Sequence, residues 1–271
     1  MKKALIKFWL LVLATLTTLG RYWSVPATVA EASATGWELD DEEKGCHNFG
    51  KYSGYRWVEK NNTAIGLLFN WEGDLCGVQM LVDYDIFKGD DNSYKFYVEP
   101  MYQVSSVGRK LFWTLTAYFC HPRTICDEKT SASEDRFVKT LYYQNGVTPD
   151  DQYLLEVPYA RTDAVEAGWF DEHCFDGMGY HNFWYVREFK VYNCTRFLPT
   201  LLVFDNYGYR QGFGFWVMGQ VENISDRLEE PPGWIVKIVM GDDTPDCMIN
   251  NGTTTIHFFS IDDPANFKCS S

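Results

Sequence analysis

From Cys46 onward, short apolar or aromatic runs alternate with clusters of Gly, Asn and Asp, the pattern of antiparallel hairpins. In the first part of the chain this pattern predicts strands over 55–59, 65–70, 77–84, 94–102 and 111–119. In the second it predicts strands over 182–191, 200–204, 212–221, 234–240 and 254–260, with Pro231, Pro232 and Gly233 breaking the chain before the fourth. Between the two parts, 139–143 and 153–157 read as short strands around the loop QNGVTPDD, and 161–167 as a few helical turns. The third strand of the second part alternates Gly212 and Gly214 with Phe213 and Phe215, so one of its faces is bare and lets a ring or another backbone approach.

The two parts echo each other. The stretch 202–219, LVFDNYGYRQGFGFWVMG, repeats the layout of 67–80, LLFNWEGDLCGVQM: aliphatics, a Phe (Phe204, Phe69), a Gly four residues on (Gly208, Gly73) and another Gly four beyond that (Gly212, Gly77). Upstream, Cys46 precedes Trp57 by eleven residues and Cys174 precedes Trp184 by ten. Downstream, LTAYFCHPRTIC at 115–126 matches IHFFSIDDPANFKC at 256–269. The expectation is an all-β protein of two similar, disulfide-bonded antiparallel halves arising by internal duplication. A single large β-sandwich or barrel-like domain with recurring hairpins is the alternative.

The first twenty residues, MKKALIKFWLLVLATLTTLG, have the layout of a secretory signal peptide: Lys2, Lys3 and Lys7, then an apolar run too short to span a bilayer. The division that follows is 1–20 signal peptide, 21–44 acidic flexible lead-in, 45–127 first half, 128–172 joining region and 173–271 second half. Secretion makes the eight cysteines legible as disulfides. With four in each half, bonds close within halves: Cys46 with Cys126, Cys76 with Cys120, Cys174 with Cys269 and Cys194 with Cys247. Cys120, His121 and Cys126 lack the spacing of a zinc site, and His173 and His181 have no third ligand near them, so neither a metal nor a cofactor is expected. The net charge of −13 disfavours nucleic acid and anionic membrane surfaces as partners.

The segments 115–126, LYYQNG at 141–146, CFDGMGYHNFWY at 174–185 and the strands after them resemble a loosely defined group of secreted animal proteins. That group carries a Cys-x-x-x-Met-Gly-x-His-Tyr pattern, matched here by Cys174, Met178, Gly179 and His181, with Asn182 and Gly177 as departures. The resemblance implies secretion and a β fold, and no reaction.

Candidate chemistry is sparse. His181 sits in a Gly-rich turn between a Cys and an aromatic strand. It reads either as a general base or as a ring that bonds a backbone carbonyl and holds the turn, and the second reading is preferred. No Gly-x-Ser-x-Gly motif is present, and the paired carboxylates fall in turns where solvated Asp is common. The 10 Trp, 17 Tyr and 19 Phe exceed what a small β core needs, so some are expected to line a pocket or form a surface patch. The residues expected to bind ligand are Met178, Tyr180, His181, Phe213, Phe215 and Trp216. The preferred function is a secreted non-catalytic protein binding a small apolar or aromatic ligand, or an extracellular protein or glycan. The alternatives are a metal-independent enzyme with His181 as base and a structural component of a secreted matrix.

Four sequons, at Asn61, Asn193, Asn223 and Asn251, are expected to carry glycans in a eukaryotic secretory host, with Asn193 beside Cys194 the least favoured. Enzymatic deglycosylation of such material lowers its mass; an unchanged mass contradicts the expectation and weakens the case for secretion.

Overall fold

A computed structural model describes residues 8–12, 21–40, 45–47, 51–85, 96, 99–127, 139–184, 198–219, 225–241, 244–261 and 263–270. The chain is mostly β and divides into two compact units. Unit 1 comprises 1–7, 25–85 and 100–157, and unit 2 comprises 8–24, 86–99 and 158–271. The boundary thus falls between Val157 and Pro158, inside the expected joining region.

Unit 1 contains helix α1 (Val29–Ala34) and strands β3 (Trp37–Leu39), β4 (Tyr55–Glu59), β5 (Asn62–Phe69), β6 (Leu75–Asp83), β7 (Gln103–Val107), β8 (Lys110–Tyr118), β9 (Tyr142–Gln144) and β10 (Leu154–Glu156). They form one antiparallel sheet in the order β10-β9-β8-β6-β5-β4-β3, with β7 also on β8. Strand β7 was not among the predicted strands. Of the strand expected at 94–102, residues 94, 95, 97 and 98 lie outside the described residues, and the remainder, 96 and 99–102, contains no strand.

Unit 2 contains α2 (Arg161–Glu166), β11 (Trp169–Phe175), β12 (Gly179–Trp184), β13 (Thr200–Phe204), β14 (Arg210–Met218), α3 (Gly233–Met240), α4 (Asp246–Asn251) and β15 (Thr253–Phe259). Its sheet runs β11-β12-β13-β14-β15 and continues through β1 (Phe8–Val12), which is antiparallel to β15, to β2 (Arg21–Val25). Two expectations are corrected here. The lead-in 21–44 is not featureless: it holds β2, α1 and β3. Ala32 and Trp37 are buried, and the Arg227 guanidinium lies 3.7 Å from the centre of the Trp23 ring. The strand expected over 234–240 is the helix α3. Pro232 presets its entry, and Val236 and Met240, four residues apart, bury one face of it. The β-branched run WIVKIV argues locally for a strand; packing an amphipathic face against β11 and α4 overrides that preference.

The units share a local design. A six-residue helix with a buried Ala (Ala32, Ala164) leads through a positive-φ glycine (Gly36, Gly168) into a strand that opens on a buried Trp (Trp37, Trp169). The helix is then pinned to the tip of a later hairpin. Val29 N–H donates to the Gly73 carbonyl at 2.8 Å, and Arg161 N–H to that of Gly208 at 2.8 Å. At the tips, Asn70 Oδ1 accepts from Asp74 N–H and Asp205 Oδ1 from Tyr209 N–H, both at 2.8 Å. This side-chain bond stabilises the tight turn between strands.

The disulfides Cys46–Cys126 and Cys174–Cys269 close as expected, each within one unit and each just after a short 3₁₀ turn begun by a proline, Pro122 or Pro264. Cys247 on α4 is disulfide-bonded, and its expected partner Cys194 lies outside the described residues. Cys76 and Cys120 are not bonded to each other. The register places Phe119, not Cys120, opposite Cys76, with Phe119 N–H donating to the Cys76 carbonyl at 2.7 Å. The Cys120 thiol accordingly approaches that same carbonyl, at 3.8 Å, instead of the other sulfur. Of the sequons, Asn61 and Asn251 are exposed, and Asn193 and Asn223 lie outside the described residues.

One face of the unit 1 sheet buries a charge. The Arg56 guanidinium bonds Asp40 through Nε at 2.9 Å and through Nη2, and donates from Nη1 to Ser105 Oγ at 3.1 Å. Both partners are buried, so removing one leaves an uncompensated charge. Asp40→Ala is expected to cost about 3–5 kcal/mol, and the double replacement Asp40→Leu with Arg56→Met to recover most of it. Urea denaturation of the three proteins checks this; a single mutant as stable as the parent refutes it.

Candidate functional site

Unit 2 forms a half-open cavity between the face of its sheet and the helices α3 and α4. Antiparallel pairing decides which side chains reach it. His181 stands opposite Val203, Val203 opposite Gly212, and Gly214 opposite both Leu201 and His257. His181, Phe183, Leu201, Gly214, Trp216, Thr253, Thr255 and His257 therefore share one face, and all of them except Gly214 line the cavity. Phe175 and Met178 close it on the β11–β12 side, and Ile235, Val236, Val239, Met240 and Met248 roof it. Gly214 admits no side chain: a Cβ there would stand 2.3 Å from the Ile256 carbonyl oxygen and 3.1 Å from the Leu201 side chain. Gly233 lets α3 approach α4, because a Cβ there would stand 2.6 Å from the Ile249 carbonyl oxygen. The space open to the centre of a water-sized sphere is about 50 Å³, room for a few waters at roughly 10–15 Å³ each and about a third of the roughly 150 Å³ apolar cavity that takes up benzene.

Three titratable side chains stand in this largely apolar wall. Glu229 reaches it because its backbone is clipped to Thr255 by two hydrogen bonds of 2.8 Å. Its carboxylate accepts from Thr255 Oγ1 at 3.3 Å and lies 3.4 Å from His257 Nδ1. The His257 ring meets that of His181 edge to face, 5.7 Å between centres. His181 Nδ1 is 3.1 Å from the Gly179 carbonyl oxygen. Since that oxygen only accepts, the proton sits on Nδ1 and Nε2 presents its lone pair. Burial depresses the His181 pKa to about 3, with neighbouring His257 adding to the effect and the carbonyls of Gly179 and His173 opposing it. The ring is neutral near physiological pH.

The turn that carries His181 is anchored on both sides. Gly179 has a φ of +124°, and a Cβ there would meet Gln211 Nε2 at 2.4 Å. That same amide donates to the Met178 carbonyl at 2.7 Å. Glycine is therefore required at 179, and its carbonyl is fixed where the imidazole finds it.

The sequence-derived ligand residues divide evenly. Met178, His181 and Trp216 line the cavity; Tyr180, Phe213 and Phe215 do not. Phe213 and Phe215 lie on the opposite face of β14, where Phe213 stacks on Phe258 with ring centres 5.2 Å apart. The reason is the period of two: a residue of odd number on β14 cannot share a face with Trp216. Tyr180 points outward, its hydroxyl 2.8 Å from Ser270 Oγ and its ring 4.0 Å from the Arg161 guanidinium. Glu229, His257, Phe175 and Phe183 were missed. His257 lies on the strand predicted over 254–260, but the sequence does not say which strand it pairs with, and Glu229 has no local signal, because only the bridge to β15 brings it in. Among the described residues no group of three or more His, Cys, Asp and Glu is arranged to hold a metal, and no helix is long and apolar enough to cross a membrane.

The depressed His181 pKa ties stability to acid. The unfolded chain protonates this group below its ordinary value of about 6.5, whereas the folded chain does so only near 3. The unfolded state therefore binds more protons across that window. Stability from this group is complete above about pH 6.5 and is lost as pH falls towards 3. His181→Gln is expected to cost about 1 kcal/mol at pH 7, for one hydrogen bond. It should also remove an acid destabilisation on the order of 3 kcal/mol at pH 4. Urea midpoints of parent and variant at pH 7 and pH 4 check this; parallel pH profiles refute it.

Compared with models of known protein families, with curated proteins and with solved structures, the chain matches none.

Proposed function

We propose that this is a secreted, non-catalytic binding protein and that its ligand, a small apolar or aromatic molecule, occupies the unit 2 cavity. The observation that carries the reading is the cavity itself, walled by Phe175, Phe183, Leu201 and Trp216 and roofed by aliphatic side chains of α3. A concave, mostly apolar site with a few convergent polar groups is the usual form of a small-molecule pocket. Secretion rests on the signal-like leader, the disulfides and the resemblance to secreted animal proteins.

The enzymatic alternative gains the His257–Glu229 contact but loses its named base. A histidine with a pKa near 3 is a weak proton acceptor at neutral pH. Recognition of a protein or glycan would instead use exposed rings such as Tyr207 and Tyr209, which stand away from the cavity on the β13–β14 turn. Those rings stand exposed on the turn that holds Asp205.

Small ring compounds such as toluene and indole are expected to raise the unfolding temperature of the disulfide-bonded protein, by the equivalent of about 2.7 kcal/mol when present at about a hundred times their dissociation constant. Val239→Phe, which places a ring into the roof of the cavity, is expected to keep the fold and abolish that shift. Calorimetric melting of both proteins with each compound is the test. A parent that responds to none of the rings, or a Val239→Phe protein that responds as the parent does, removes the reading.

A further inference from the structure

Resting on the cavity reading above, we propose that the ligand is a small organic amine, bound as its cation, with an apolar or aromatic body against the ring walls and its ammonium group directed to Glu229. The inference comes from two acceptors in the wall that lack a donor; Thr253 Oγ1 and His257 Nδ1, which can donate, make no hydrogen bond there either. Glu229 is 1% exposed, and its Oε1 makes no hydrogen bond of acceptable geometry. The His257 Nδ1 contact to that oxygen, at 3.4 Å, is too long and poorly aligned to satisfy either atom. His181, also 1% exposed, turns a lone pair on Nε2 inward without a hydrogen-bond partner. A buried carboxylate oxygen and a buried imidazole nitrogen that each lack a donor are costly in isolation. Their shared deficit is donors, and a positive charge matches the carboxylate better than a neutral hydroxyl does.

The rest of the wall fits the same ligand. Phe183 and Trp216 both line the cavity, in edge-to-face contact with centres 5.7 Å apart, and aromatic rings are the surface that attracts a cation. Lys237, the basic residue of α3, is exposed at the surface and does not line the cavity. An anionic ligand would meet Glu229 with like charge, and a pure hydrocarbon would leave both acceptors unsatisfied. An ammonium group with two or three N–H donors satisfies Oε1 of Glu229 and has donors left for His181 Nε2 or bound water.

The test uses the disulfide-bonded protein and three probes of nearly equal size: 2-phenylethylamine, 2-phenylethanol and ethylbenzene, titrated calorimetrically at neutral pH. The amine is expected to bind about tenfold or more tighter than the alcohol, since a hydrogen bond to a charged partner is the stronger kind. In Glu229→Gln that preference is expected to collapse to within about twofold, with the affinity for ethylbenzene unchanged. If the alcohol or the hydrocarbon binds as well as the amine, or if the preference survives in Glu229→Gln, the amine assignment is wrong while the cavity reading stands. If none of the three probes binds, both fall together. The comparison among probes needs no variant, so it decides the matter even if Glu229→Gln does not fold.

Discussion

Gly214 sits where three strands leave room for no side chain. Its neighbours across the ladder are Leu201 and His257, and the Leu201 side chain lies 3.1 Å from where its Cβ would be. The inner face of the unit 2 sheet is built around that constraint. Because position 214 admits no side chain, that of Leu201 packs over it, and Leu201, Trp216 and His257 on the same face line the cavity beneath α3. Antiparallel pairing then fixes the remainder without further choice, since placing Gly214 on the inner face also places His181, Trp216 and His257 there.

The same face in unit 1 shows what happens when the constraint is absent. By register, Arg56 on β4 occupies the station that His181 occupies on β12: each stands one step from the pair formed by an aromatic and the Phe that ends the next strand, Tyr55 with Phe69 and Tyr180 with Phe204. Gln79 likewise occupies the station of Gly214, opposite Thr116 where unit 2 has His257. Gln79 donates to Thr116 Oγ1 at 3.1 Å, and Arg56 reaches Asp40 and Ser105. A long amide and a guanidinium thus occupy in unit 1 the stations that a glycine and a neutral imidazole take in unit 2, the guanidinium fully engaged and Gln79 Oε1 without a donor. One scaffold face serves as a polar core in the first case and as a candidate pocket in the second.

The clamps that hold each scaffold are made mostly by backbone and lie away from these faces. In each unit the short helix bonds the hairpin tip, and the disulfide ties Cys46, before β4, or Cys174, on β11, to the segment that follows a proline turn. In unit 2 the second clamp gains from Asp176, which accepts from Cys269 N–H at 2.9 Å and pairs with Lys268 at 3.1 Å. In unit 1 the Tyr118 hydroxyl accepts from Ser53 N–H at 3.1 Å and donates to Gln144 Oε1 at 2.9 Å, and burial pushes that phenol's pKa upward. Such fixed frames allow inner-face residues to differ between the units while the strand path stays the same.

The alternation of apolar and polar residues by itself determined the β class and most strand positions: β4 and β13 fall on their predicted ranges, and β5, β6, β8, β14 and β15 within about three residues of theirs. The Phe-to-Gly spacing around 69 and 204 located both hairpin tips, because positive φ at Gly73 and Gly208 is a local requirement that a sequence must state openly. Cysteine spacing gave the end-closing bonds for a similar reason. Tertiary structure alone decided the rest. The run 234–240 has strand-like composition and became a helix because its apolar face found a roof to build. Cys76 and Cys120 remained thiols because register offset them by one residue. His181 was visible as unusual, yet its neutrality follows from burial beside His257, and Glu229 enters the cavity only through its bridge to β15. Local sequence records turn geometry and periodicity; which distant side chains meet, and in what dielectric, is set only when the sheet closes against its helices.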